Sequence, residues 1–248
     1  MRLIRVFVEA APSPGTRIEA GGSAAVHISR VLRLVAGDPL TVFNGDGHDY
    51  PAKILSLRGS RVEIEVLERV PARPESPLKL LLVQGIARTE RMDLIVQKAT
   101  ELGVTAIQPV VTARGVVRLD AKTTERKLAH WRGIVIAACE QCGRARLPDV
   151  AIPLPLSEWL ARPAPESLRR LQLAVDSRDS LGTAAAGAGA IELLIGPEGG
   201  LDASERNSAA SAGYRACSIG PRVLRTETAA LAALAVLQAA AGDLDRAL

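Results

Sequence analysis

The spacing of apolar positions divides the chain into two parts that differ in pattern. Over the first seventy residues, short stretches alternate between apolar and polar side chains. The clearest is RVEIEVLERV at 61–70, in which Val62, Ile64 and Val66 share one face. Two further predicted strands, at 41–43 and 51–57, flank a glycine-containing turn. Short strands joined by turns predict a small β-barrel or sandwich.

Beyond residue 77 the apolar runs become continuous and alternate with stretches of helical spacing. The predicted strands occupy 78–84, 104–111, 170–176, 191–195 and 215–220, and the predicted helices occupy 89–103, 122–142 and 228–241. This alternation predicts an α/β fold with a mostly parallel sheet covered on both faces. The low complexity of GTAAAGAGA at 182–190 predicts a flexible loop.

The three prolines of VPARPESP at 70–77 predict a linker between the two parts. We therefore expect one domain over residues 1–72 and a second over residues 73–248. No apolar run approaches the roughly 18 residues of a membrane span, and the N-terminus lacks the apolar core of a signal peptide. These features predict a cytoplasmic protein without membrane attachment.

The cysteines do not form the pattern of a disulfide framework or a metal site. They number three, and an odd number argues against a disulfide framework. Cys139 and Cys142 form a CxxC pair, but they lie on or beside an apolar stripe of helical spacing. Because no second CxxC or HxxxH accompanies them, the sequence favours core packing over metal or redox chemistry.

Positive charge is concentrated in the middle of the chain. The formal net charge is +4, and residues 74–150 carry 12 basic and 8 acidic side chains. Arginine outnumbers lysine 26 to 5, which suits phosphate recognition, although a compositional bias explains the ratio equally well. With two each of Trp, Tyr and Phe, any binding of nucleic acid would depend on charge and shape more than on base stacking.

Two glycine turns each follow a predicted strand and precede a predicted helix. The first is GPEGG at 196–200, and the spacing of Asp202 and Glu205 after it predicts a capping box. The second lies in SIGPRVLRTE at 218–227, where two arginines flank the turn. Ligands of α/β proteins bind at the carboxyl ends of parallel strands. The two turns would therefore form one cleft if their strands are neighbours.

The composition of the first turn limits the kind of ligand. GPEGG has neither the GxGxxG spacing of a dinucleotide site nor the GK[ST] ending of a phosphate loop. Glu198 inside the turn would also repel a pyrophosphate. A cationic or neutral ligand held by backbone groups fits better, and close packing of a strand on a helix explains the glycines about as well.

LIGPEGG at 194–200 together with SIGPRVLRTETA at 218–229 resembles the SPOUT class of methyltransferases. The resemblance is specifically to the family that methylates N3 of one uridine in 16S ribosomal RNA. The chain also resembles three further blocks of that family, in the same order: HISRVLRLVAGD, KATELGVTAIQPVVTAR and AACEQCGRARLPDV. The departures are Leu201, where an aromatic residue is common, and Cys142, where a small polar residue is usual.

The resemblance implies a PUA-like, RNA-binding β-barrel followed by a SPOUT methyltransferase domain with a C-terminal trefoil knot. It implies a homodimer that uses S-adenosylmethionine as methyl donor without a metal. The expected substrate is 16S ribosomal RNA, in the assembled small subunit or as naked RNA. Carried over by motif, the donor-binding residues are Ile195, Gly196, Glu198, Gly199, Gly200, Ile219, Gly220, Leu224, Arg225 and Thr226.

Methylation at N3 of uracil requires removal of a proton, because this nitrogen is protonated at neutral pH. A base must accept that proton or a cation must stabilise the forming anion. Arg225 is the candidate cation at the uracil carbonyls, and Glu227 or a water is the candidate proton acceptor. Glu227 would serve equally well as a favourable charge at a helix N-terminus.

Further arginines are candidates for RNA contacts. His27, Arg30 and Arg33 recur at three-residue intervals, which predicts one helical face offered to phosphates. Arg114, Arg144 and Arg146 flank the blocks matched in the second domain. A solvated basic face is the alternative interpretation of all six residues.

Three other functions explain part of the pattern. A ribose 2′-O-methyltransferase would share the glycine turns, but the N-terminal block HISRVLRL fits the base-methylating family better. A non-catalytic RNA-binding or assembly protein would not need intact glycine turns. A nucleotide-binding metabolic enzyme would need the phosphate-loop spacing that this chain lacks.

Overall fold

The computed structural model describes residues 4–115 and 121–245, which divide into two compact units. The first unit runs to Glu75 and includes Ile136–Leu147, and the second comprises Ser76–Val135 and the chain from Pro148 onward. Within the described ranges, no helix is both long enough and apolar enough to cross a membrane.

The first unit is built on a mainly antiparallel sheet. Its elements are β1 Arg5–Phe7, β2 Arg17–Ala20, α1 Gly22–Val26, β3 Pro39–Phe43, β4 His48–Arg58, β5 Arg61–Val66 and β6 Val70–Pro71. The strand order is β1-β3-β4-β5-β2, with β6 beside β4, and only the β1–β3 pair is parallel among these strands. The side chains predicted to share one face of β5 are at most 1% exposed. The predicted β-rich first part is therefore confirmed.

The segment after α1 differs from the helix expected there. Residues His27–Val31 form a π-helical turn, in which the Leu32 amide donates to the His27 carbonyl at 2.9 Å. Arg33 lies beyond this turn with φ 55°, in the left-handed region. The prediction that His27, Arg30 and Arg33 share one helical face is therefore wrong, because the helix widens and then ends before Arg33.

The predicted linker also begins later than expected. Val70 and Pro71 form β6 and pair with Asp49 and His48 of β4, so the sheet of the first unit continues into the proline-rich segment. Proline is tolerated there because a short edge strand leaves backbone positions that need no amide donor.

The second unit contains a parallel sheet with helices between its strands. Its elements are β7 Lys79–Gly85, α2 Thr89–Glu101, β8 Ala106–Val111, α3 Ala121–Cys142, β9 Asp149–Val150, β10 Leu154–Pro155, α4 Leu156–Leu160, β11 Arg169–Leu173, α5 Leu181–Ala185, β12 Ala190–Ile195, α6 Ala203–Ser211, β13 Arg215–Cys217 and α7 Thr226–Ala241. The last turns of α3 belong to the first unit. The strand order is β10-β8-β7-β12-β11-β13, with β9 beside β8, and every pairing among them is parallel. The predicted α/β class is confirmed.

Burial explains why the strands of this sheet have continuous apolar sequences. Leu80 and Leu82 of β7 and Leu193 and Leu194 of β12 are all fully buried. Neighbouring residues of a strand point to opposite faces, so apolar side chains at consecutive positions require cover on both sides of the sheet.

The stretch predicted as a flexible loop contains a short helix. Helix α5 covers Leu181–Ala185, and its Leu181, Ala184 and Ala185 side chains are buried. The prediction of a loop is wrong for this part, because alanine is a strong helix former and small enough to pack closely.

Cys139 agrees with the core-packing interpretation, whereas Cys142 is only partly buried. Cys139 is fully buried, and its thiol donates to the Arg146 carbonyl at 3.7 Å. Burial raises the pKa of Cys139 to about 12, so the reactive thiolate is suppressed near neutral pH. The described part of the chain holds no cluster of three or more residues suited to bind a metal.

Candidate functional site

A cavity of about 400 Å³ opens at the carboxyl ends of three strands in the second unit. Its walls are the end of β11 with the residues after it (172–176), the GPEGG turn after β12 (196–201), the loop after β13 (218–224) and the start of α7. Because all of these strands are parallel, their carboxyl ends meet at one edge of the sheet. The fold therefore brings the two glycine turns to one site.

The two turns meet although their strands are not neighbours. Strand β11 lies between β12 and β13, so the condition expected from the sequence is not met. The end of β11 fills the gap with a third wall segment, Leu173 to Asp176. This segment was not among the site residues predicted from the sequence, although the sequence there shows a third strand that ends beside polar residues.

Glycine is required at both turns, for different reasons. A Cβ on Gly196 would lie 2.9 Å from backbone atoms of Gly200 and Leu201, closer than real side chains approach. Gly220 has φ 131°, which side chains of L-residues rarely adopt. Its amide donates to the Ser218 hydroxyl at 3.1 Å, which fixes the second turn.

The predicted capping box is confirmed at the start of α6. The Glu205 amide donates to Asp202 Oδ1 at 2.8 Å, and the Asp202 amide donates to Glu205 Oε2 at 2.9 Å. This reciprocal pair ends the GPEGG loop at a defined point, because it satisfies two helix amides that would otherwise lack partners.

A buried hydrogen-bond network joins the first glycine turn to the start of α7. The Thr226 hydroxyl donates to the Gly196 carbonyl at 2.8 Å, and Gln84 Nε2 donates to Thr226 Oγ1 at 3.2 Å. Gln84 Nε2 also donates to the Gly85 carbonyl at 2.9 Å, and the Gln84 side chain is fully buried. Gln84 and Gly85 were missed in the sequence, although a glycine directly after a buried strand repeats the signal of the other two turns.

Glu198 of the GPEGG turn makes its polar contacts with the start of α2. Its Oε1 accepts from the Arg88 amide at 3.0 Å and lies 3.1 Å from Arg91 Nη1. Burial by itself would raise the pKa of Glu198, but the amide hydrogen bonds and the charge of Arg91 outweigh it and hold the pKa below its ordinary value. Glu198 is therefore a carboxylate at neutral pH.

Nine of the ten residues expected from motif to bind the donor, all except Arg225, line this cavity. Its lining includes Ile195, Gly196, Glu198, Gly199, Gly200, Ile219, Gly220, Leu224 and Thr226. Arg114, expected as an RNA contact, also lines it and donates from Nη1 to the Gly199 carbonyl at 3.0 Å. Arg206 and Arg222 join the same lining, so three arginines surround the opening.

The two candidate catalytic residues do not line the cavity. Arg225 is the N-cap of α7, and its exposed side chain makes no hydrogen bond or ion pair with the described residues. The Glu227 carboxylate is 13% exposed and lies 3.8 Å from Arg91 Nε. Arg225 is thus free to meet a ligand from outside, whereas Glu227 is directed toward α2.

The other RNA candidates belong to the first unit and differ in how available they are. Arg30, Arg33 and Arg146 are exposed, while His27 Nε2 lies 3.9 Å from Glu140 Oε2. Arg144 donates from Nε and Nη2 to Glu75 Oε2 at 2.9 and 2.6 Å and is 12% exposed. Arg144 therefore offers little surface to a phosphate.

Comparison with known proteins gives consistent results over both units. Residues 74–238 match the model of an RNA methyltransferase domain, and residues 21–67 match that of an RNA methyltransferase PUA domain. Ribosomal RNA small subunit methyltransferase E of Buchnera aphidicola (Schizaphis graminum) is 31% identical, covering 98% of each chain. The match to the PUA domain model confirms the predicted PUA-like unit.

Two solved structures resemble the chain over its length. A Legionella pneumophila protein with bound S-adenosylmethionine superposes with a TM-score of 0.93 at 38% identity, covering 98% of this chain and 100% of that one. Ribosomal RNA small subunit methyltransferase E from Neisseria gonorrhoeae, bound to S-adenosylmethionine, gives a TM-score of 0.90 at 37% identity, covering 98% and 99%.

Proposed function

The chain belongs to the SPOUT-type RNA methyltransferase family that includes ribosomal RNA small subunit methyltransferase E, and we propose that it methylates N3 of a uridine in 16S ribosomal RNA. The observation that carries this proposal is the convergence of nine motif residues on one cavity at the carboxyl edge of the sheet. S-adenosylmethionine is the proposed donor, and no metal is required.

The lining of the cavity fits S-adenosylmethionine. Ile195, Leu201, Ile219 and Leu224 provide apolar surface for an adenine ring, and the glycines leave backbone amides and carbonyls accessible. When bound, the donor supplies an electrophilic methyl group on a sulfonium. The lining also contains two carboxylates, Asp176 and Glu198, beside its three arginines.

Arg225 is proposed to stabilise the anion that forms on uracil. Its guanidinium has no partner among the described residues and follows the loop that lines the cavity. A cation placed at the two carbonyls beside N3 would lower the free energy of the deprotonated base. Glu227 or a water accepts the proton; the Glu227 carboxylate lies 3.8 Å from Arg91 Nε.

Exposed arginines are proposed to hold the RNA. Arg114, Arg206 and Arg222 surround the cavity, and Arg30, Arg33 and Arg146 offer positive charge on the PUA-like unit. Guanidinium groups suit phosphate oxygens, so these residues would orient the substrate without reading its sequence. The assembled small subunit in the cytoplasm is the proposed substrate. The trefoil knot and the homodimer stay predictions.

The test is methyl transfer from labelled S-adenosylmethionine to small ribosomal subunits that lack the modification, and to naked 16S RNA. The product nucleoside is then identified by mass spectrometry after digestion. We expect 3-methyluridine, with the assembled subunit as the better substrate. A ribose-methylated product would replace the proposal by a 2′-O-methyltransferase. Donor binding without transfer to either substrate would favour a non-catalytic assembly protein.

A further inference from the structure

One guanidinium lies between two carboxylates that come from different walls of the site. Arg91 Nη1 is 3.1 Å from Glu198 Oε1 in the GPEGG turn, and Arg91 Nε is 3.8 Å from Glu227 Oε2 at the start of α7. All three side chains are at most about one third exposed. Arg91 lies in the first turn of α2, so three separate segments of the chain meet at this one side chain.

The two carboxylates depend on this cation. Glu198 Oε2 and Glu227 Oε2 are both buried and accept no hydrogen bond among the described residues. The Arg88 amide provides Glu198 Oε1 with one neutral donor, but Arg91 is the positive side chain paired with both carboxylates. Without it, each of these largely buried negative groups would lose its charged partner, which raises the free energy of this arrangement.

Displacement of either carboxylate would alter the cavity. Glu198 is part of the loop that lines it, and Glu227 directly follows Thr226, which also lines it. The Thr226–Gly196 hydrogen bond joins the same two segments from the interior. Arg91 thus provides a second, electrostatic link between them on the side of α2.

We propose that Arg91 is a positioning residue that holds the GPEGG loop and the start of α7 in the arrangement that binds the methyl donor. This inference rests on the proposed function, because its ligand is S-adenosylmethionine. Arg91 contacts neither the cavity nor the reacting atoms; it acts through Glu198 and Glu227. A lysine at this position would keep the charge but could not direct separate N–H groups to both carboxylates.

The experiment measures the Kd of S-adenosylmethionine by calorimetry for the full-length wild-type protein and for R91M, R91K and R91M/E227Q. We expect R91M to weaken binding about tenfold, a difference of about 1.4 kcal/mol, and R91K to give an intermediate loss. R91M/E227Q should regain most of the affinity, because a neutral amide at position 227 removes the buried charge that the loss of Arg91 leaves unpaired. A role in general folding alone predicts no such rescue.

The matched control is K98M, which removes an equal charge from the same helix and breaks only the partly buried Lys98–Glu101 pair. K98M should bind the donor as the wild type does. Equal affinity in R91M and wild type would overturn the inference, and so would an R91M/E227Q protein no better than R91M. If R91M does not fold, R91K carries the test: full affinity there would overturn the inference that one guanidinium must reach both carboxylates. Failure of the wild type to bind any donor would instead refute the proposed function.

Discussion

The Thr226 hydroxyl offers the sharpest test of how the site is held together. Thr226 is 5% exposed, donates to the Gly196 carbonyl at 2.8 Å and accepts from Gln84 at 3.2 Å. Thr226→Val keeps the shape of the side chain and removes both hydrogen bonds. At about 0.5–1.5 kcal/mol for each bond, the free energy of unfolding should fall by about 1–3 kcal/mol.

Part of that loss should appear in donor binding, because the Gly196 carbonyl belongs to the loop that lines the cavity. If about 1.4 kcal/mol of the lost free energy normally stabilises the loop in its binding conformation, the Kd of S-adenosylmethionine rises about tenfold. Urea denaturation measures the stability and calorimetry measures the Kd. Thr226→Ser is the matched control, since it keeps the hydroxyl and removes only a methyl group.

These two variants should differ clearly. Thr226→Ser should stay close to the wild type in donor affinity, whereas Thr226→Val should not. Equal stability and equal Kd in the two variants would refute the view that this hydroxyl ties the glycine turn to α7. A Thr226→Val protein that loses stability but binds the donor normally would confine the role of the network to folding.

Three further changes test other parts of the structure. Arg225→Ala should lower the kcat of methyl transfer by about 100-fold or more, which is the size of effect seen when one stabilising group is removed from a transition state. The Kd of the donor should change far less. Full turnover in this variant would exclude the proposed role. Replacing Arg30 and Arg33 by Ala should flatten the slope of log RNA affinity against log salt concentration. The expected change is about 0.7–0.9 for each phosphate that the protein no longer neutralises. An unchanged slope would show that these arginines do not contact the RNA. Cys139, with its pKa raised by burial to about 12, should resist alkylation in the folded protein at pH 8. Since an unfolded thiol ionises near pH 8.5, the stability that this thiol contributes should be complete below that pH and should shrink toward pH 12. The difference in unfolding free energy between wild type and Cys139→Ala, measured against pH, tests this.

The sequence by itself determined the elements whose signals are local. Continuous apolar runs predicted the parallel strands, because a strand covered on both faces needs apolar side chains at consecutive positions. The glycines at 196 and 220 predicted the two turns, and the spacing of Asp202 and Glu205 predicted a capping box that the structure contains. Each of these patterns depends on residues only a few positions apart.

Predictions from local patterns were wrong where a helix was not an ordinary α-helix or where packing decided the conformation. Three-residue spacing at His27, Arg30 and Arg33 assumed an α-helix, and the chain forms a π-helical turn instead. The alanine-rich stretch at 182–190 suggested a loop, yet burial of Ala184 and Ala185 stabilises a helix there. Propensity is a weak indicator when tertiary contacts decide the conformation.

Only the tertiary structure decided how the site is assembled. Strand β11 lies between the strands that carry the two glycine turns, and strand order depends on contacts between segments far apart in the chain. Gln84 reaches Thr226 across 142 positions, and Arg91 lies between Glu198 and Glu227. Such contacts form because folding places each polar group close to its partner, and the low dielectric of the interior then strengthens their attraction. A linear pattern of residue types contains no record of those distances.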